Sequence, residues 1–94
     1  MDGIEFTWSE AKRLANILKH RLDFIDAAHV FSGPTVTSED KRFAYPEPRY
    51  VTLGLFEGIP VAIVHTESTH EIRIISFREA THAEAEAFFE NLPD

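Results

Sequence analysis

Apolar residues alternate at the start of the chain: in GIEFTW, Ile4, Phe6 and Trp8 fall on one side, the period of a strand. The period then lengthens. In SEAKRLANILKHR, residues 9–21, Ala11, Leu14, Ala15 and Leu18 recur at three- and four-residue steps, Leu22 continues the stripe and Ile17 lies beside it. This spacing predicts an amphipathic helix with the stripe inward and Lys12, Lys19 and Arg21 off it. Ser9 is a good N-cap. Asp23 caps a short second helix, FIDAAHVF, with Phe24, Ala27, Ala28 and Phe31 as its apolar face, and Ser32-Gly33-Pro34 ends it.

Residues 35–49, TVTSEDKRFAYPEPR, are the least regular, with a short edge strand around Val36 and two prolines that favour extended backbone. Three β-rich runs follow: RYVTLGLF (49–56), IPVAIVHT (59–66) and EIRIISFR (71–78). Glu57-Gly58 reads as a tight hairpin turn and ESTH (67–70) as a second loop. The central run is apolar on both faces, and Pro60 must lie near a strand start. Thr81 and Glu84 form a capping-box pattern before HAEAEAFFENL, which turns Ala85, Phe88, Phe89 and Leu92 inward and ends at Pro93. The order β–α–α–(β)–β–β–β–α predicts one α+β domain over residues 1–94, an antiparallel β-meander with its helices laid on one face.

Strict alternation would place Arg49, Val51, Leu53 and Leu55 on one face with Ala62, Val64, Thr66, Glu71, Arg73, Ile75 and Phe77. Val51 then lies across from Val64, and Val64 across from Arg73. Tyr50, Thr52, Ile63, His65, Ile72, Ile74, Ser76 and Arg78 take the other face. A bulge would flip part of this assignment.

Composition narrows the classes. There is no cysteine, so neither a disulfide framework nor a thiolate metal site is available. No run reaches the ~20 apolar residues of a membrane span, and the acidic start MDGIEFTW lacks the basic opening of a signal peptide. The expectation is a soluble cytoplasmic protein with no membrane association. The net charge of −7 opposes nucleic-acid binding over the whole surface. The charge is uneven, however: Arg73 and Arg78 are the only basic residues after position 54, among eight acids.

Those two arginines carry the candidate chemistry. Arg73 reads either as the partner of Glu71 or Glu67 in a solvated ion pair, or as an anion grip whose planar fork suits phosphate. Histidines 20, 29, 65, 70 and 82 form no metal-ligand spacing, so neither a metal nor another cofactor is expected. His20 either complements the helix dipole or acts in chemistry. His65 either serves as a general acid or base or bonds Tyr50. Trp8 is a core residue or an anchor for a partner.

The pieces FTWSEAKRLANILKHRLDFIDAAHVF, EDKRF, RYVTLG, VAIVHT and RIISFREAT, in that order, resemble the landmarks of the BrnT toxin family. Residues 6–81 carry the resemblance, which lies in the ordered set and not in any one piece. It implies a type II toxin–antitoxin toxin: a small endoribonuclease of RelE-like architecture that inhibits translation and growth by cutting RNA. The implied partner is a BrnA-type ribbon-helix-helix antitoxin in a heterotetramer, with operator DNA bound only through the antitoxin.

Metal-free RNA cleavage needs a base for the 2′-OH, a cation for the charge on phosphorus and an acid for the leaving oxygen. Under the resemblance, Arg73 and Arg78 take the charge role. His20 and His65 are candidates for proton transfer, Lys12, Lys19, Arg49 and Ser76 for RNA contact, and Trp8 for the partner. Both arginines are expected to serve function rather than fold. The acidic segment 77–94 favours a second reading, a non-enzymatic toxin-like module that binds an antitoxin or another protein.

Overall fold

In the computed structural model, which describes residues 3–92, the chain runs through β1 (Glu5–Thr7), α1 (Glu10–His20), a 3-10 turn (Phe24–Asp26) leading into α2 (Ala27–Phe31), β2 (Val36–Asp40), β3 (Arg49–Phe56), β4 (Ile59–Glu67), β5 (Glu71–Glu79) and α3 (His82–Asn91). The five strands form one sheet in the order β1-β5-β4-β3-β2. β2 to β5 are antiparallel neighbours, and β1 joins the edge of β5 in parallel. Pro93, the expected end of α3, lies outside the described residues.

Local chemistry explains the boundaries. The Ser9 side chain accepts from the Lys12 N–H, and Asp23 accepts from the Ile25 N–H. Thr81 and Glu84 form the reciprocal capping box. The β3–β4 hairpin turns on Glu57 and Gly58, both at positive φ (52° and 81°), the left-handed pair that matches strand twist in a two-residue loop. Gly54 is a close approach: a Cβ there would lie 2.6 Å from Val30 Cγ1 of α2.

Two expectations are corrected. The helices do not share one face. Phe24, Ala27 and Val30 pack on Val61, Ile63, Ile74 and Phe77, whereas Phe88 of α3 packs on Leu53 and Ala62. Neighbouring β4 residues point to opposite sides, so β4 is covered on both faces, as its doubly apolar sequence requires. Phe89 is left exposed beside the buried Phe88.

The second correction is α1, which is turned the other way. Ala11, Leu14, Ala15 and Leu18 are exposed, Leu14 to 53% and Leu18 to 83%, and the one buried residue is Asn16. The cause lies at the sheet edge. β1 pairs β5 only as far as Arg73, so the rest of β5 has an open edge whose buried backbone groups need partners. Asn16 supplies them: it donates to the Phe77 carbonyl (2.8 Å) and the Leu22 carbonyl (2.9 Å), and accepts from the Phe77 N–H (3.1 Å). Arg13, one turn earlier, forms a two-pronged ion pair with Asp23 at 2.8 and 3.0 Å. The polar side of α1 is therefore its docking side.

Candidate functional site

Val51 pairs with Val64 as alternation predicts. Val64, however, lies across from Ser76 rather than Arg73, because the β4–β5 ladder slips between Val64 and His65. His65 then faces Ile74, Thr66 faces Arg73 and Ala62 faces Arg78, leaving Ile75 as the extra residue. The bulge moves Ser76 and Arg78 onto the face that carries Arg73. It also turns Phe77 into the opposite core, where it is wholly buried. One residue out of step thus gathers RIISFR into a polar row on one side and an apolar anchor on the other.

α1 runs beside this row, and two clefts open between them. At its N-terminal end, Lys12, Arg49 and Arg73 line a cleft of about 360 Å³ with Thr66, Ile75, Pro46 and Glu47. Arg73 is exposed and makes no ion pair among the described residues, so neither Glu71 nor Glu67 holds it. Glu71 instead accepts from the Thr7 hydroxyl. The Arg49 guanidinium sits over the Tyr45 ring, 4.5 Å from its centre, a cation–π contact that fixes its direction.

At the other end, Lys19, His20 and Arg78 line a second cleft with Glu79, Ala80 and Thr81. Burial, then the charges of Lys19 and Arg78, hold His20 below the ordinary histidine value, which favours its neutral imidazole. Arg78 is not free. It grips Glu84 with both nitrogens, at 2.7 and 3.1 Å, and so braces the capping box of α3. Arg78 therefore has a part in the fold that its position in the sequence did not reveal.

His65 and Trp8 lie away from the row. His65 is completely buried on the α2 side of the sheet, packed against Phe31 and Tyr50, with Nε2 2.7 Å from the Thr52 hydroxyl. Burial pushes its pKa down. The structure thus places it across the sheet from Arg73 and Arg78, out of reach of a ligand on their face, and its neighbours there are packing partners. Trp8 is half-buried, packs edge-on against Phe24, and donates from Nε1 to Glu10 at 3.3 Å. It leans on the core with part of its ring exposed.

Two features escaped the sequence reading. One is Asn16, which directly follows Ala15 of the apolar stripe and resembles any surface amide. The other is the clamp within EDKRFAY: Asp40 accepts from the Arg42 side chain (3.0 Å twice) and N–H (3.1 Å) and from the Tyr45 hydroxyl (3.0 Å). Foremost the Arg42 guanidinium holds the Asp40 carboxyl well below the usual carboxylate range. The clamp orders the β2–β3 loop, which carries Pro46 and Glu47 to the wall of the first cleft. The acid-x-Arg spacing in EDKRF was the available signal.

Among the described residues, no three His, Asp or Glu side chains converge as metal ligands, and no helix is long and apolar enough to cross a membrane.

A five-stranded, mostly antiparallel sheet with three helices and arginines along its last strand defines a small α+β domain with a cationic face. The comparisons make the class specific. Residues 8–84 match the family model of BrnT, the ribonuclease toxin of type II toxin–antitoxin systems. The crystal structure of the Brucella abortus ribonuclease toxin BrnT superposes with a TM-score of 0.67 at 28% identity, over 84% of this chain and 99% of that one. No curated protein matches the sequence. The chain belongs to the BrnT family of ribonuclease toxins.

Proposed function

We propose that the chain is an endoribonuclease toxin that cuts RNA without a metal ion along the row between α1 and β5, and that a BrnA-type ribbon-helix-helix antitoxin neutralises it. The observation that carries this reading is Arg73, an exposed arginine without a counter-ion among the described residues, facing Lys12 and Arg49 across a cleft in an otherwise acidic protein. Three cations around one cleft suit phosphate oxygens, and the planar fork of Arg73 suits two at once.

The division of labour follows from the two clefts. Lys12, Arg49 and Arg73 hold the RNA backbone, with Ser76 between the two ends of the row. At the second cleft, neutral His20 takes the proton from a 2′-OH, whose oxygen attacks the adjacent phosphorus. Lys19 and Arg78 stabilise the charge that grows on the phosphoryl oxygens. The P–O5′ bond breaks and the 5′-oxygen takes its proton from water, while the His20 imidazolium gives up the 2′-OH proton to solvent, giving a 2′,3′-cyclic phosphate and a 5′-hydroxyl end. His65 has no part in this scheme.

The test is incubation of the purified chain with total RNA, with and without EDTA. Internal cuts that persist in EDTA, carry cyclic phosphate ends and disappear in Arg73→Ala support the proposal. Cleavage abolished by EDTA overturns the metal-free part, and cleavage retained by Arg73→Ala overturns the site.

The Arg78–Glu84 pair favours a second reading, in which the domain binds its antitoxin and cuts RNA weakly or not at all. Intact RNA in both arms, with antitoxin binding preserved, selects that reading.

A further inference from the structure

We propose that the outward ridge of α1, built by Ala11, Leu14, Ala15 and Leu18, is the seat of the antitoxin, and that an amphipathic helix with an acidic flank occupies it. The inference rests on the toxin reading above only in taking the antitoxin as the partner; it does not require RNA cleavage.

The ridge is the most ordered apolar stripe in the sequence, yet it points away from the protein. At 100° per residue the four side chains span less than a third of the helix circumference, opposite the side on which Asn16 is bound to β5. Exposed leucines 14 and 18 stand one turn apart, the spacing at which a partner helix inserts its own apolar residues. Neither core cluster among the described residues includes them, since the inner side of α1 is taken by Asn16 and the Arg13–Asp23 pair.

Charge decides the occupant. Lys12 and Lys19 flank the ridge on the side facing the two clefts. Glu10, the only acid of α1, is held by Arg13 and Trp8. A second copy seated antiparallel on the ridge would set Lys12 of one copy on the same flank as Lys19 of the other, like charge beside like charge. RNA has no use for an apolar ridge. A helix with an apolar stripe and acids along one flank satisfies both features. Its acids would lie over Lys12 and Lys19 and close both clefts, so neutralisation needs no contact with Arg73.

The absence of cysteine gives a direct test. Leu18→Cys places one thiol on the ridge, and its labelling rate is measured for the chain alone and with a BrnA-type antitoxin. We expect labelling to slow by about tenfold or more in the complex, and Leu14→Glu with Leu18→Glu to weaken antitoxin binding by about a hundredfold, as for two central anchors. Circular dichroism should show the double variant folded, because both positions are exposed, and its RNA cleavage without antitoxin should match the parent. Unchanged labelling in a formed complex overturns the placement, whatever the RNA assay shows. So does a free chain that is dimeric in light scattering and becomes monomeric on the double substitution, since a second copy then covers the ridge. Loss of antitoxin binding by the double variant of a chain that never cut RNA sustains this inference while refuting the nuclease reading.

Discussion

Asn16 is the sharpest place to perturb this molecule. Its side chain is 6% exposed and makes three hydrogen bonds, two of them closing the backbone of Phe77 as a neighbouring strand would. Asn16→Ala orphans one N–H and two carbonyls. Each buried orphan costs about 1–3 kcal/mol, and water entering at the sheet edge recovers part of that. Alanine returns roughly 0.5 kcal/mol in helix propensity. The net expectation is a loss of about 2–4 kcal/mol, a large share of the roughly 5–15 kcal/mol that a domain has in total. Asn16→Asp separates the contributions: the carboxylate still accepts from the Phe77 N–H but faces two carbonyl oxygens with no proton to give. That environment raises the new carboxyl's pKa above its unfolded value, so the stability of the variant falls as pH rises through the folded value and recovers on acidification. Urea unfolding followed by circular dichroism at neutral and acidic pH reads both effects. An Asn16→Ala variant within about 0.5 kcal/mol of the parent, the range of an ordinary surface change, would show that α1 is held by something other than this amide.

Three further outcomes follow from the geometry. Gly54→Ala drives a methyl to 2.6 Å from Val30 and should cost about 1–3 kcal/mol by overpacking; an unchanged urea midpoint contradicts the close approach. Glu84→Gln keeps an acceptor for the Thr81 N–H while removing the charge that engages Arg78, so RNA cleavage should rise if Arg78 stabilises the charge on phosphorus, and a rate that stays level or falls removes Arg78 from the mechanism. His20 has its pKa lowered from 6.5 by burial and by Lys19 and Arg78, so the free protein has its base ready above pH 6.5; kcat/KM for RNA should be flat there and fall only at lower pH, whereas an acid limb above 6.5 points to a different base.

Much of the fold was legible because local rules and tertiary needs agreed. Ser9, Asp23 and the Thr81–Glu84 box cap the helices they were assigned, and the Glu57-Gly58 turn fixed Val51 against Val64. The failures share one cause, a long-range demand with no local signature. The β5 bulge depends on how β4 and β5 close over two cores and leaves no mark within RIISF. The outward turn of α1 depends on where β1 stops pairing, and a stripe of apolar residues reports only that something covers it, not what. Lys12, Arg49 and Arg73 could be named from their residue types, but their meeting in one cleft required both the bulge and the α1 docking. The burial of His65 was not legible, because a histidine in an apolar strand reads the same whether it faces a cleft or a core.

α1 then ties these strands together. Asn16 fixes the helix to the edge of β5 at Phe77, the residue between Ser76 and Arg78. That contact sets the rotation of the helix, and the rotation sets everything else on it. With Asn16 inward, Lys12 and Lys19 must fall on the flank beside the polar row, one at each cleft, and Leu14 and Leu18 must fall outside. Turning the helix to bury its leucines would withdraw the lysines from the clefts and leave the Phe77 backbone unpaired. The exposed ridge is thus not a packing fault but a consequence of building the basic row. In the proposed reading, the same rotation that arms the site presents the surface by which it is silenced.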